Sequence, residues 1–329
     1  MMSEMLVDIR DLYVNFNIYE GVTRVLNGVN FKVAKGEKVG LIGEAGCGKT
    51  TTVKSIMKIL QVPPAEIVGG EIYLEGTDVL KMSQRDLQMM RRRTVSMIFQ
   101  DPTAALNPVF KVGNQIGDII KYNQLSLGRK VTKQDIHEKT VQVLKEVQMP
   151  DPERIMNSYP IQLSGGMRQR ICIAMALVSA TNLLIADEPG TNLDVTIQDQ
   201  VLRLLGDLVE DHGTSIILIS HALGAVKGLV DRVYVMYAGS MVEAANTEDL
   251  FNEPLHPYTQ ALFDAVPKLT GGGIPRGISG RIPNYLSPPS GCRFNPRCPH
   301  AMPKCREKSP PFYQVGDGHE VACYLYGGR

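Results

Sequence analysis

The sequence predicts an α/β protein with two additions, an inserted helical segment and a small cysteine-rich C-terminal extension. Three observations point there. Short, nearly all-apolar runs at 39–42, 183–186 and 215–219 alternate with stretches of helical spacing, as parallel strands covered on both faces do. From Lys111 to Met149 no strand-like run occurs, while Ile136, Thr140, Val143, Leu144 and Val147 recur on one face of a helix. Four cysteines, Cys292, Cys298, Cys305 and Cys323, fall close to the C-terminal end, apart from Cys47 and Cys172.

At the N-terminal end, Leu6-Val7-Asp8-Ile9, Leu12-Tyr13-Val14-Asn15-Phe16 and Val29-Asn30-Phe31-Lys32-Val33 alternate apolar and polar residues. That period predicts antiparallel strands, expected beside the strand at 39–42. Further strands are expected at 70–74 and 95–99, after which Pro102 and Pro108 break the pattern. The helical insertion is expected over about 101–160, with Pro150, Pro152 and Pro160 bounding its exit. Val233-Tyr234-Val235-Met236 followed by Gly239-Ser240 predicts a hairpin closing the core. Beyond Pro267 the chain turns rich in Pro and Gly, including Gly271-Gly272-Gly273, the composition of a linker. Two domains are expected, 1–265 and 266–329.

With 329 residues the chain can bury one large core and has room for a smaller second unit. A formal net charge of +1 supplies no global positive field, and no nucleic-acid partner is expected. No stretch reaches the roughly 18 uninterrupted apolar residues of a membrane span. The segment from Met1 to Arg10 carries Glu4 and Asp8 and lacks the apolar region of a signal peptide. The expected place is the cytosol, with any membrane link running through a partner.

The clearest chemistry lies in Gly43-Glu44-Ala45-Gly46-Cys47-Gly48-Lys49-Thr50, which fits the phosphate-binding pattern G-x-x-x-x-G-K-[ST] at every fixed position. It follows an apolar run and precedes a helical one opening at Thr51, the strand, loop, helix context a phosphate cradle requires. Glycines let successive N–H groups and the helix N-terminus point at phosphate oxygens. Lys49 is expected to reach the outer phosphates and Thr50 to offer its hydroxyl to magnesium.

Further elements follow in a fixed order: Gln100 after the strand at 95–99, Leu163-Ser164-Gly165-Gly166-Met167-Arg168-Gln169-Arg170, Leu183-Leu184-Ile185-Ala186-Asp187-Glu188, Leu193-Asp194, and His221. In this order the set resembles the nucleotide-binding subunit of ABC transporters. The resemblance implies a P-loop NTPase fold, a RecA-like core with an N-terminal antiparallel β-subdomain and an inserted helical subdomain. Asp187 is then expected to hold magnesium with Thr50 and Gln100, and Glu188 to orient and deprotonate the attacking water. His221 would donate to the γ-phosphate. Ser164, Gly165 and Gly166 would open a helix whose N-terminus meets ATP held by a second subunit, with Asp194 at the same junction. An aromatic on an N-terminal strand is expected against the adenine, Phe16 with Tyr13 or Tyr19 as alternatives.

Narrower markers are Asp194-Val195-Thr196-Ile197-Gln198, His256-Pro257-Tyr258-Thr259 with Ala261-Leu262, and Gly291-Cys292-Arg293-Phe294-Asn295-Pro296-Arg297-Cys298-Pro299. With them the whole chain is similar to the ATP-binding subunits of oligopeptide/dipeptide ABC importers. That implies a second, related ATP-binding subunit in a heterodimer, two integral membrane permease subunits, and an extracytoplasmic peptide-binding protein acting through them. It also implies a place on the cytoplasmic face of the membrane. Residues 100–110 are expected to line the socket for a permease helix. Ala45, Gly190, Asn192 and Ala222 depart from the family's usual Ser, Thr, Ala and Asp. Alternatives are a nickel or other small solute, or an ABC ATPase acting on nucleic acid or ribosomes.

The four C-terminal cysteines are spaced C-x5-C-x6-C-x17-C. Close C-x2-C pairs of structural zinc are absent, whereas iron–sulfur ligation tolerates wider gaps. Arg293, Arg297, Lys304 and Arg306 lie among them and are expected to favour thiolates. The readings are a cluster, zinc, or two disulfides, the last disfavoured in a reducing cytosol. The peptide-importer resemblance implies a structural 4Fe-4S cluster.

Overall fold

The computed structural model describes residues 4–179, 182–191, 193–266 and 277–327. They fall into two compact units, one built on Ala34–Lys38 and Lys81–Leu229, the other on Met5–Val33, Val39–Leu80 and the chain from Val230 onward. The expected boundary at 265/266 adjoins 267–276, and Gly271-Gly272-Gly273, Asn192 and the residues after Val266 up to 276 lie outside the described residues.

In the first unit, Val95–Ile98, Leu183–Asp187 and Ser215–Ile219 run parallel, with Leu183–Asp187 between the other two. Every residue of Leu183–Asp187 and Ser215–Ile219 is buried, which is why these runs show no apolar/polar alternation. The region read as helical contains Pro102–Ala105, Val112–Ser126, Lys133–Glu146 and Pro152–Met156. Lys133–Glu146 opens with a capping box: Thr132 Oγ1 accepts from Asp135 N, and the Asp135 carboxylate accepts from Thr132 N. It buries Thr140, Val143 and Leu144, part of the stripe read from spacing. Helices Gln84–Arg93, Gly165–Val178, Val195–His212 and Leu223–Leu229 also belong to this unit, Val195–His212 ending at Gly213 in the left-handed region.

In the second unit, Gly21–Ala34, Met5–Ile18, Ala65–Leu74 and Thr77–Asp78 form a four-stranded antiparallel sheet in that order. The N-terminal strands were expected beside the strand at 39–42, and the structure corrects this. Lys38–Ile42 instead pairs in parallel with Arg232–Tyr237. Burial explains the segregation. The alternating strands have one face to bury, whereas Val39, Leu41 and Ile42 are all fully buried and need cover on both sides. Arg232–Tyr237 turns back through Ser240–Asn246 as the expected hairpin.

The C-terminal extension contributes His319–Val321 to the free side of Ser240–Asn246, followed by Tyr313–Gly316. Glu243 fixes this edge from inside. Its fully buried carboxylate accepts from Leu255 N (2.7 Å), His256 N (2.9 Å) and His319 Nε2 (2.8 Å), so the buried charge has a donor from each element packed on it. Among the described residues no helix is long and apolar enough to cross a membrane.

Candidate functional site

The phosphate loop belongs to the second unit. Gly43 has φ 151°, and a Cβ there would stand 2.1 Å from the Met236 carbonyl oxygen, so the loop leaves its strand by a path only glycine can take. Lys49–Ile56 then begins at Gly48, which is left-handed and offers no side-chain cap. The first N–H groups of this helix therefore meet no capping side chain, as an anion site requires. Lys49 is 5% exposed, with Nζ donating to the Gly43 carbonyl (2.8 Å) and the Glu44 carbonyl (3.1 Å). Those bonds curl the loop around its own cation. Burial raises the Cys47 thiol, with Lys49 opposing, so this cysteine is an inert packing group. Ala45 and Gly46 are exposed, Thr50 and Thr51 half-buried.

Glu44 and Gly46 are also gripped from the C-terminal side. Glu44 N donates to Tyr258 Oη (2.8 Å), Tyr285 Oη donates to the Gly46 carbonyl (2.7 Å), and Arg297 holds the Glu44 carboxylate with both terminal nitrogens (2.8 and 3.2 Å). None of this was foreseen. Tyr258 is expected only as a marker of resemblance and Arg297 also as a neighbour of the cysteine thiols, and separations of 214 and 253 positions leave no local pattern to find.

Gln100, Ser164, Gly165, Gly166, Asp187, Glu188, Asp194 and His221 belong to the first unit. Asp187 is the last residue of its strand and 3% exposed. Glu188 follows with φ 50°, a conformation costly for a residue with a side chain and concentrated at functional sites. Its N–H donates to the Ile219 carbonyl (2.9 Å), which aims the side chain over the strand ends. One carboxylate oxygen accepts from Gln100 Nε2 (2.8 Å) and Thr191 Oγ1 (3.1 Å), while the other pairs with His221 Nε2. Gln100, Glu188 and His221 are thus brought together, and Thr191 joins them. Thr191 stands three residues after Glu188, a spacing that could have suggested it.

Ser164 is the N-cap of Gly165–Val178, its Oγ accepting from Met167 N (3.3 Å). A Cβ on Gly166 would lie 2.7 Å from Ile197, so this glycine also answers to close packing. Asp194 caps Val195–His212 through Ile197 N (3.0 Å). Phe16 sits half-buried opposite Ala65, with Tyr13 partly exposed and Tyr19 fully so.

The four C-terminal cysteines line one small cavity, with Phe294, His300 and Met302, and none is in a disulfide. Burial pushes the Cys292 thiol up to about 11, opposed by a hydrogen bond from the Phe294 backbone. Burial likewise raises Cys298 and Cys323, against backbone hydrogen bonds at His300 and Leu325. Met302 N reaches Cys305 Sγ at 3.5 Å. Each sulfur thus has a backbone donor, the arrangement that stabilises metal-bound thiolates. Among the described residues no three His, Cys, Asp or Glu side chains are gathered closely enough for a metal ion. The arginines do not act as expected: Arg297 serves Glu44, and Arg293 donates to the Ala238 carbonyl.

A phosphate loop on one strand and a carboxylate over the ends of parallel strands define a nucleotide-hydrolase cassette. The ABC transporter family matches residues 26–191, and the oligopeptide/dipeptide transporter C-terminal region matches 242–305. This chain belongs to the ABC transporter ATP-binding family. It is similar to the probable peptide ABC transporter ATP-binding protein y4tR of Sinorhizobium fredii, 46% identical over 98% of this chain and 95% of that one. The oligopeptide transport ATP-binding protein OppD of Bacillus subtilis is 42% identical over 97% of this chain and 88% of its own. Among solved structures, the dimeric post-hydrolysis ATP-binding cassette MJ0796 bound to ADP and Pi has a TM-score of 0.66 at 22% identity. It covers 74% of this chain and 99% of that one, a likeness of fold.

Proposed function

We propose that this chain is the ATP-hydrolysing subunit of an ABC importer for peptides. The observation that carries the hydrolytic part is the Glu188 carboxylate, held on both oxygens at the mouth of a parallel sheet in a chain with a complete phosphate loop. Lys49 and the loop N–H groups bind the phosphates, and Thr50, Asp187 and Gln100 hold magnesium. Bound magnesium neutralises charge on the phosphates. Glu188 accepts the proton of the attacking water, and Gln100, Thr191 and His221 keep its oxygens aimed. His221 donates to the γ-phosphate, and Phe16 packs on the adenine.

Ser164, Gly165, Gly166 and Asp194 face the nucleotide of a second ATP-binding subunit, itself a related chain. The peptide part rests on the C-terminal region match and on relatives named for peptide transport. Two permease subunits hold the pair at the cytoplasmic face of the membrane, and a peptide-binding protein delivers solute to them from the other side. Cys292, Cys298, Cys305 and Cys323 would hold a 4Fe-4S cluster with a structural role, supplying four sulfurs that line one cavity and each meet a backbone donor.

The test is co-expression with the permease subunits and the second ATP-binding subunit. The complex should be recovered in membranes, and its ATPase rate should exceed that of the isolated chain and rise further with peptide-loaded binding protein. Recovery with ribosomes or nucleic acid, with no stimulation by the permeases, would overturn the reading.

A further inference from the structure

Of the five residues between Cys292 and Cys298, three, Arg293, Phe294 and Arg297, lead to the phosphate loop. Arg297 is the direct link. Its side chain is 4% exposed, and its five N–H groups are all engaged: Nε donates to the Ser279 carbonyl (2.7 Å), Nη2 to the Ile278 carbonyl (3.2 Å), Nη1 to Tyr237 Oη (3.3 Å), and both terminal nitrogens to Glu44. A guanidinium so fully spent holds its position as a rigid fork.

Two more routes run beside it. Phe294 is 1% exposed and packs on Tyr237 and Tyr258 at centroid distances of 5.0 and 5.5 Å. Tyr258 accepts from Glu44 N. Arg293 lies over the Tyr285 ring, 5.9 Å from its centroid, and the Tyr285 hydroxyl reaches the Gly46 carbonyl. The backbone of the segment is itself set by turns at the cysteines, with Asn295 N donating to the Cys292 carbonyl and Arg297 N to the Phe294 carbonyl, both at 2.9 Å.

We propose that Arg297 and Tyr285 are positioning residues for nucleotide binding, through which the state of the four-cysteine site sets the shape of the phosphate loop. Glu44 and Gly46 bracket the turn that presents the loop N–H groups. A loop held at both points meets a diphosphate without first being ordered, and a released loop binds it more weakly. The coupling to the cysteines rests on the cluster reading above. The brace itself does not.

The experiment is calorimetric titration of the purified full-length chain with ADP, which is bound but not hydrolysed. Arg297→Ala should raise the ADP Kd by about tenfold, the loss expected of a charge-assisted fork, with Arg297→Lys intermediate. Tyr285→Phe removes one hydroxyl and should raise it about threefold. A role in fold stability alone would lower the unfolding midpoint and leave the Kd of the folded protein unmoved. An unchanged Kd in folded Arg297→Ala sinks the brace. If that variant does not fold, unchanged values in both Arg297→Lys and Tyr285→Phe do the same.

For the coupling, Cys298→Ser should weaken ADP binding in the otherwise unchanged chain and have little added effect on top of Arg297→Lys. Iron and sulfide are assayed in every sample. Loss of iron in Cys298→Ser with an unchanged Kd overturns the coupling while leaving the cluster reading in place. Absence of iron and sulfide from the anaerobically purified parent chain overturns the cluster reading and the coupling together, and the Arg297 and Tyr285 arms then decide the brace alone.

Discussion

Glu44 and Glu188 each stand just past the end of a buried strand, yet the chain secures them in different ways. The partners of Glu188 are Gln100, Thr191 and His221. Gln100 follows Val95–Ile98 and His221 follows Ser215–Ile219, the two strands flanking the one that ends at Asp187. Parallel neighbours place their C-terminal ends side by side, so this cluster is delivered by sheet topology. Glu44 is secured differently. Its carboxylate is held by Arg297 and its N–H by Tyr258, both supplied by a return of the chain far along the sequence. Chemistry sited at strand ends is robust to what the rest of the chain does, whereas the loop is open to control from a distant segment.

The largest break in this contrast is Glu188→Gln. The substitution keeps size and one accepting oxygen but removes the base, so turnover of the assembled complex should fall about a thousandfold, within the range for loss of a general base. ADP binding should stay within about twofold, since Glu188 serves the attacking water, ADP lacks the γ-phosphate, and the partners of Glu188 are local. Single-turnover phosphate release alongside calorimetric titration measures both. Unchanged release would remove Glu188 from the base role.

Gly43→Ala acts on the loop from within. At φ 151° and with a Cβ 2.1 Å from the Met236 carbonyl oxygen, alanine forces the backbone to move. The cost should be about 3 kcal/mol of stability, read as a lower urea midpoint, with ADP binding lost. A nearly normal midpoint would mean that the loop is plastic and that holding it from outside has little to act on. Thr191→Val is milder and sharpens the other side. It removes one donor from Glu188 at constant shape, and a single hydrogen bond of about 1 kcal/mol corresponds to about a fivefold loss of turnover with ADP affinity intact.

The same contrast explains what could be read in advance. The loop glycines, Lys49, Asp187 and Glu188 were legible because each answers to a rule of local spacing or strand context. The meeting of Gln100 with Glu188 was inferable from strand order. The segregation of the N-terminal strands into their own sheet was not, since alternation reports that one face is buried without saying against which partner. Arg297 was misassigned to the cysteine thiols for a related reason. Adjacency in sequence suggested a neighbour, while its buried guanidinium pairs with the Glu44 carboxylate, on an element that local periodicity cannot connect to it.

The smallest expected effect separates two meanings of a helix cap. Thr132 and Ser164 both cap helices, accepting from Asp135 N at 3.1 Å and Met167 N at 3.3 Å. By capping alone, Thr132→Ala and Ser164→Ala should each cost about 1 kcal/mol of stability, measured by chemical unfolding. Thr132 lies on an exposed turn with its own capping box, so its loss should leave the ATPase rate of the assembled complex unchanged. Ser164 should behave differently if its hydroxyl leaves Met167 to meet the partner's nucleotide: the stability cost stays the same while turnover of the complex falls severalfold. Equal, stability-only effects in the two variants would make Ser164 a cap like any other. The helix N-terminus, with the packing that confines Gly166 against Ile197, would then be what the second subunit meets.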